Sequence, residues 1–289
     1  METMIASVLS FFQNRMKPSF LIIGGVKCAS SSLFRYLVDH PSILPGEKKE
    51  SGFFNHRGYS KALVTLPRYL SKFPKRNSNQ RAEMIWPELN EAGEVYNVSI
   101  QTERHAHQSY MTGEATATYN FSANPKVIKK IFPDIKIIFL LRNPTSRFIS
   151  HFDMFNRFEK EGRQGYSTGE LVSFINKEIE LYKEKKPTRI LHQGLYHHYL
   201  SNWESEFGSK NIFVGHSNDL AHPNTATNML NKLTSFLNLL PHDFTTIINR
   251  KFNVSPQRTL NEEAVSLLDE FYLESNRLVK NHYHIDLYE

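Results

Sequence analysis

Short, uninterrupted apolar runs alternate along this chain with stretches whose apolar residues recur every three or four positions. That alternation predicts the fold class before any motif is considered. Phe20-Leu21-Ile22-Ile23 ends on Gly24-Gly25, and so short an apolar run closed by glycines predicts a strand buried on both faces, as in a parallel sheet. Ser30-Ser31-Ser32 follow, then Leu33, Phe34, Leu37 and Val38 at helical spacing, with His40-Pro41 closing the segment. Serines favour helix starts, and a residue before proline is driven out of the helical region. A second unit repeats the scheme. Residues 125–132 predict a helix broken by Pro133-Asp134, residues 136–141 a second buried strand, and Arg142-Asn143-Pro144 the turn into another helix, with Pro144 in its first turn. Helical signals recur over residues 195–207, 225–237 and 260–279, and a last strand covers 211–215. Strands alternating with helices predict an α/β fold, a central parallel sheet flanked by helices on both faces and therefore three layers deep.

Between these units the pattern fades. Residues 74–110 are polar, rich in Asn, Glu, Gln and His, and residues 157–170 carry charges and glycines. Both read as excursions on the substrate side of a rigid scaffold. No repeat or linker divides the sequence, which predicts one domain over residues 1–289, with residues 1–18 as an N-terminal helix packed on the body. The apolar patch at residues 4–12 contains Ser7 and Ser10 and is far shorter than the roughly 20 residues of a spanning helix. It also lacks a basic start and a small-residue cleavage site, so no membrane partner is expected and cytoplasmic residence follows by default. A chain of this length buries roughly 75% of its unfolded surface without disulfides, and Cys28, its one cysteine, could form none internally. Thirty-five basic against 29 acidic residues give a net charge of +6. Without a long Lys/Arg run, that excess points to an anionic ligand and not to nucleic acid.

The turn from Gly24 to Ser32 joins a buried strand to a helix start, where free backbone N–H groups and the helix dipole favour an anion. Lys27 adds a full charge and the serines add hydroxyl donors, so Gly25, Val26, Lys27, Cys28, Ala29, Ser30, Ser31 and Ser32 are the expected ligand-binding residues. This is not the G-x-x-x-x-G-K-[ST] loop of nucleotide triphosphatases, because the lysine precedes the serines. The second strand ends in Arg142, where such enzymes often hold magnesium with an aspartate. Two cations and no metal carboxylate suit a phosphorylated ligand bound without metal.

Gly24-x-x-Lys27-x-x-Ser30-Ser31-Ser32-Leu33 resembles the 5′-phosphosulfate loop of sulfotransferases that use 3′-phosphoadenosine 5′-phosphosulfate (PAPS). Leu141-Arg142-Asn143-Pro144-Thr145-Ser146-Arg147-Phe148-Ile149-Ser150-His151 resembles the family's 3′-phosphate motif, an arginine with a serine eight positions on; Arg142 and Ser150 have that spacing. Lys49-Glu50-Ser51-Gly52-Phe53-Phe54, the stretch from Gly113 to Tyr119, and Gly194-Leu195-Tyr196 ahead of Trp203 agree with it. The resemblance is to the heparan/carbohydrate-type and bacterial branch and runs from about Phe20 to the C-terminus.

The resemblance implies a P-loop-type fold and in-line transfer of a sulfuryl group from PAPS, without metal, to a hydroxyl or amine of a small molecule or glycan. The product nucleotide would be 3′-phosphoadenosine 5′-phosphate (PAP). Lys27, with Ser30, Ser31 and backbone amides, would meet the charge developing on the leaving 5′-phosphate oxygen, and one such donor is typically worth about 10²–10³ in rate. Glu50 matches the catalytic base of the heparan-type enzymes, a role worth ~10²–10⁴, with His56 in reserve. Lys251 and Arg258 occupy the place where the family folds a basic loop over the nucleotide. There are departures: the family's Lys-Glu-x-His-Phe-Phe histidine is Gly52, a substrate-contacting lysine is Ala115, and Cys28 and Ala29 replace Gly or Ser. The nucleotide half is thus better kept than the glycan half, which favours a small-molecule acceptor over heparan sulfate. Two rivals stand beside this reading. A P-loop kinase lacks its Gly-Lys-Ser/Thr, and a relative that holds PAP or a polyanion without catalysis is left open by Cys28 and Ala29. Glu50 beside Lys48 and Lys49 also reads as a surface pair, and His105 and His107 as exposed side chains.

Overall fold

The computed structural model describes residues 14–76, 82–89, 95–103, 109–250 and 261–288. Within them, β1 (Phe20–Gly24), β2 (Ala82–Leu89), β3 (Val95–Thr102), β4 (Gly113–Ala115), β5 (Lys136–Leu141) and β6 (Ile212–His216) form two sheets. Strands β4-β1-β5-β6 make the central sheet in that order, and each neighbouring pair runs parallel. The register sets Phe20 beside Lys136 and Ile22 beside Ile138, then slips so that Gly24 meets Phe139. The slip explains the glycine: a Cβ on Gly24 would lie 2.2 Å from the Phe139 ring. β1 is buried along its whole length and β5 from Ile137 onward, as their uninterrupted apolar runs predict.

Helices α1 (Ser30–Leu37), α2 (Tyr59–Leu70), α3 (Tyr119–Ser122), α4 (Pro125–Ile131), α5 (Pro144–Lys160), α6 (Leu171–Lys183), α7 (Tyr196–Phe207), α8 (Pro223–Phe236), α9 (Thr245–Ile248) and α10 (Glu262–Tyr283) flank it. The main core joins Phe20, Ile22, Phe34, Ile138, Leu140 and Trp203. A second core packs Phe148 and Phe152 of α5 against Phe174 of α6 and Leu268 and Tyr272 of α10, which fixes α5 from behind.

The strands and helices predicted over 20–25, 125–132, 136–141, 195–207, 211–215, 225–237 and 260–279 are present with ends that differ by at most four residues. Three differences stand out. Inside the stretch 74–110, where the pattern in sequence fades, β2 and β3 pair antiparallel from Ala82↔Thr102 to Leu89↔Val95. Ala82, Met84 and Trp86 face inward, Trp86 stacking on Phe34 with centroids 6.1 Å apart. The alternation is masked in sequence because Ile85 is exposed on the opposite face. Helices α2 and α6 were not foreseen, and α2 carries Pro67 in its interior, a residue that normally argues against a helix. The helix α5 runs to Lys160, so the charged stretch at 157–170 begins inside an element. Most of the helix expected over residues 1–18 lies outside the described residues; at its described end the chain is not helical, Arg15 bridging Lys75 antiparallel. Among the described residues no helix is long and apolar enough to cross a membrane.

Candidate functional site

Because β1 and β5 are parallel neighbours, Gly24 and Leu141 end at the same edge of the sheet, where α/β folds open a ligand crevice. The two following turns meet there. The Gly25 amide donates to the Leu140 carbonyl at 3.0 Å, and Cys28 N–H turns back onto the Gly25 carbonyl at 3.0 Å. Arg142 Nη1 donates to the Lys27 carbonyl at 3.2 Å, so the two cationic motifs are in direct contact. Gly25 has no room for a side chain: a Cβ would meet Cys28 Sγ at 2.9 Å. Cys28 is fully buried, its sulfur 3.4 Å from the Tyr196 hydroxyl, and burial pushes its thiol pKa up. It is a packing residue that ties the loop to α7.

The loop is held in an uncommon conformation. Lys27 and Ala29 have φ of 68° and 59°, left-handed values that residues other than glycine adopt at a cost of order 1–3 kcal/mol and mostly at functional positions. The serines open α1, which starts at Ser30, and its N-cap is Ala29, which offers no side-chain acceptor to the first-turn amides. Those N–H groups and the helix dipole therefore favour an anion. Ser30 is buried, while Val26, Lys27, Ser31 and Ser32 are half-buried at the loop surface.

Charge is concentrated here. The Lys27 pKa is lowered, chiefly by burial, then by Arg157 and Arg142, with Asp153 opposing and Lys49 adding to the effect. Three other cations thus oppose the Lys27 charge, two of them themselves ion-paired, Lys49 with Glu50 and Arg157 with Glu161. Lys49, absent from the predicted site, donates to Ser31 Oγ at 2.9 Å and is ion-paired with Glu50. Nothing in the spacing of the sequence signals this, although Lys49 stands in the Lys-Glu stretch quoted above.

Arg142 is half-buried at the head of α5, whose start is fixed by Pro144 at N1 and by Ser146 N–H donating to Asn143 Oδ1 at 2.8 Å. Ser150, two turns on, is buried with no partner for its hydroxyl among the described residues. On the same helix Arg147 and His151, one turn apart, are also buried. Arg147 Nη2 donates to the Ile190 carbonyl at 2.9 Å. The His151 pKa is pushed down to about 2, first by burial and then by Arg147, Lys27, Arg189 and His192, so the ring stays neutral beside the cations.

Other predicted residues sit differently. Glu50 is exposed and, among the described residues, reaches the loop through Lys49 and Ser31. His56 lies exposed in a left-handed turn with φ 49°, its amide bonded to the Ser122 carbonyl at 2.7 Å, and no contact joins it to the loop among the described residues. Lys251, Arg258, His105 and His107 lie outside the described residues. Among the described residues no group of three His, Cys, Asp or Glu side chains is arranged to hold a metal ion. The chemistry this arrangement offers is binding of a polyanion by backbone amides, hydroxyls and clustered cations.

Comparison with known proteins agrees. A sequence model described as "Sulfotransferase family" matches residues 18–231. The bifunctional heparan sulfate N-deacetylase/N-sulfotransferase 1 of Caenorhabditis elegans is 27% identical over 239 residues, covering 80% of this chain and 23% of that protein. The human bifunctional heparan sulfate N-deacetylase/N-sulfotransferase 3 is 26% identical over 232 residues, covering 78% of this chain and 23% of that protein. The chain thus spans less than a quarter of the length of these relatives. Among solved structures, a sulfotransferase from Alicyclobacillus acidocaldarius superposes with a TM-score of 0.59 at 22% identity, covering 94% of this chain and 98% of that one. The mouse sulfotransferase SULT7A1, solved in complex with PAP, gives 0.53 at 15% identity, covering 98% of this chain and 94% of that one. At those identities the superpositions establish the fold alone.

Proposed function

This chain belongs to the PAPS-dependent sulfotransferase family, and we propose that it transfers a sulfuryl group from PAPS to a hydroxyl or amine of a small molecule or glycan. We propose further that its fold is of the P-loop type and that residues 1–289 form one such domain. The observation that most supports this reading is the contact of Arg142 with the backbone of Lys27. It joins the two cationic motifs at the edge of one sheet, as a ligand with phosphates on the 5′ and 3′ oxygens of one ribose would require.

In this proposal Lys27, Ser30, Ser31 and the first-turn amides of α1 hold the 5′-phosphosulfate, and Arg142 and Ser150 hold the 3′-phosphate. Lys251 and Arg258, which lie outside the described residues, enter this proposal only as nucleotide contacts that the family resemblance implies. The acceptor oxygen or nitrogen attacks sulfur in line. The bond from sulfur to the 5′-phosphate oxygen breaks with its electron pair leaving on PAP, and the acceptor proton passes to Glu50. Lys27 neutralises the charge that builds on the leaving oxygen, where a preorganised donor acts most strongly.

A second reading, nucleotide binding without turnover, is supported by the ion pair that engages Glu50 with Lys49. Two measurements separate the readings. In thermal melting, PAP at about 100 times its Kd should stabilise the protein by ~2.7 kcal/mol, whereas ATP should not. Labelled PAPS incubated with a panel of phenols, alcohols, amines and glycans should yield a labelled acceptor. Stabilisation by ATP instead of PAP would sink both readings, and stabilisation by PAP with no labelled product across the panel would leave the second.

A further inference from the structure

Glu114 is a carboxylate inside the protein, 1% exposed, at the centre of β4. Isolated buried carboxylates are strongly disfavoured unless hydrogen bonds replace their hydration, and here four uncharged donors do so. Oε1 accepts from the Tyr69 hydroxyl at 2.7 Å and the Tyr119 hydroxyl at 3.0 Å. Oε2 accepts from the Ser51 amide at 2.9 Å and the Thr116 hydroxyl at 3.0 Å. Burial and the nearby Glu114 charge push the Tyr69 and Tyr119 pKa values up, which keeps both hydroxyls protonated as donors.

The consequence lies in the segment these groups hold. Ser51 N–H also reaches Thr116 Oγ1 at 3.2 Å, Gly52 N–H reaches the same oxygen at 3.3 Å, and Phe54 N–H reaches the Tyr119 hydroxyl at 3.2 Å. Phe53 N–H is taken by Ser51 Oγ at 3.1 Å, itself 3.0 Å from the Tyr119 hydroxyl. Four successive amides are therefore satisfied by side chains and not by secondary structure. On the other side, the Ala115 amide donates to the Lys49 carbonyl at 2.9 Å. Glu50 sits between these two clamps, exposed itself but with its backbone fixed before and after.

We propose that Glu114 is a positioning residue, the buried anchor that, with Thr116 and Tyr119, holds Glu50 at the phosphate-loop edge for proton removal from the acceptor. The role rests on the transferase reading above, and Glu114 touches no substrate itself.

The test compares kcat, PAP affinity and stability of the full chain with those of Glu114→Leu, Thr116→Val, Glu50→Gln and the double variant Glu50→Gln/Thr116→Val. A misplacement of about 1 Å can lower rate about 10²-fold, so Glu114→Leu and Thr116→Val should lose kcat on that order while PAP affinity stays within roughly twofold. Because Thr116 acts through Glu50, adding Thr116→Val to Glu50→Gln should cost no further rate, a non-additivity that general loosening of the fold does not produce. If Glu114→Leu fails to fold, Thr116→Val leaves the carboxylate in place and carries the test. Losses that multiply in the double variant, or wild-type kcat in Thr116→Val, overturn the proposal. Hydrogen exchange at residues 50–54 needs no turnover. The Ser51 amide should exchange about 10-fold or more faster in Thr116→Val, as local opening becomes easier, and unchanged protection would refute the clamp. Failure of the wild-type chain to bind PAP would instead refute the transferase reading.

Discussion

Replacing Lys27 with methionine tests the nucleotide site with opposite signs in two measurements. The substitution keeps most of the apolar stem and the strain of the left-handed backbone but removes the charge. In the unliganded protein that charge is disfavoured by burial and by Arg157, Arg142 and Lys49, against relief from Asp153 alone among the contributors. Lys27→Met should therefore melt no lower than the parent. Binding should respond the other way. A hydrogen bond to a charged group is worth about 1.5–3 kcal/mol, so losing it weakens PAP roughly 10- to 150-fold. At a PAP concentration 100 times the parent's Kd, stabilisation falls from ~2.7 kcal/mol to between ~0.3 and ~1.3 kcal/mol. For a chain somewhat larger than 250 residues, 1 kcal/mol corresponds to roughly 2–4 °C or slightly less, so differential scanning fluorimetry resolves the change. Retention of the whole PAP-dependent shift in Lys27→Met would remove Lys27 from the nucleotide site. A large drop in melting temperature without PAP would show that the electrostatic reasoning has the wrong sign.

Other substitutions probe the remaining parts. Ser150→Ala removes a buried hydroxyl that has no partner among the described residues; stability should change by less than about 0.5 kcal/mol while PAP affinity, by calorimetry, falls about 10-fold or more. Gly24→Ala sets a methyl group against the Phe139 ring, and chemical denaturation should show a loss of roughly 1–3 kcal/mol. His151 carries a pKa lowered from 6.5 to about 2. The unfolded chain therefore binds the proton first, and stability contributed by the neutral ring erodes as pH falls below 6.5. By pH 5 the loss from this residue is about 2 kcal/mol, and His151→Phe should remove that part of the acid sensitivity in urea titrations. Because the Lys27 pKa is lowered and bound phosphate would raise it again, PAP affinity should weaken as pH climbs towards the ordinary lysine value, a trend Lys27→Met abolishes.

The parts of the fold legible in sequence are those where one local signal decides the outcome. Residues 136–141 are an unbroken apolar run between Pro133-Asp134 and Arg142-Asn143-Pro144, and β5 occupies those residues. Tertiary packing decided the others. Trp86 and Met84 become an inward face because Phe34 lies opposite, whereas exposed Ile85 spoils the alternation that would have marked β2. Pro67 sits late in α2, where the chain tolerates it. In the site, the backbone loop and Arg142 were legible because their spacing follows from two strand-turn-helix units. Lys49 was not, since its bond to Ser31 spans 18 positions with no periodic relation. Glu114 stood inside a quoted motif, yet only the fold reveals that its carboxylate is buried among Tyr69, Tyr119, Thr116 and Ser51.

The distribution of contacts around the loop bears on why its charges are there. Its shape is held by neutral groups: Gly25 N–H on the Leu140 carbonyl, Cys28 N–H on the Gly25 carbonyl, and the Cys28 sulfur against Tyr196. Among the described residues the Lys27 ammonium takes no part in that frame, and Arg142 joins it through a bond to the Lys27 carbonyl. Were the cations surface decoration, mutual repulsion would favour sequences that spread them apart, because like charges near one another oppose folding. Here the Lys27 charge instead lies in a strained loop where burial, Arg157, Arg142 and Lys49 all oppose it. An arrangement that weakens the free protein persists when a bound anion offsets it, since a ligand that binds only the folded state adds its binding energy to stability. PAP binding must therefore weaken with salt, and must do so less steeply once Lys27 or Arg142 is neutral.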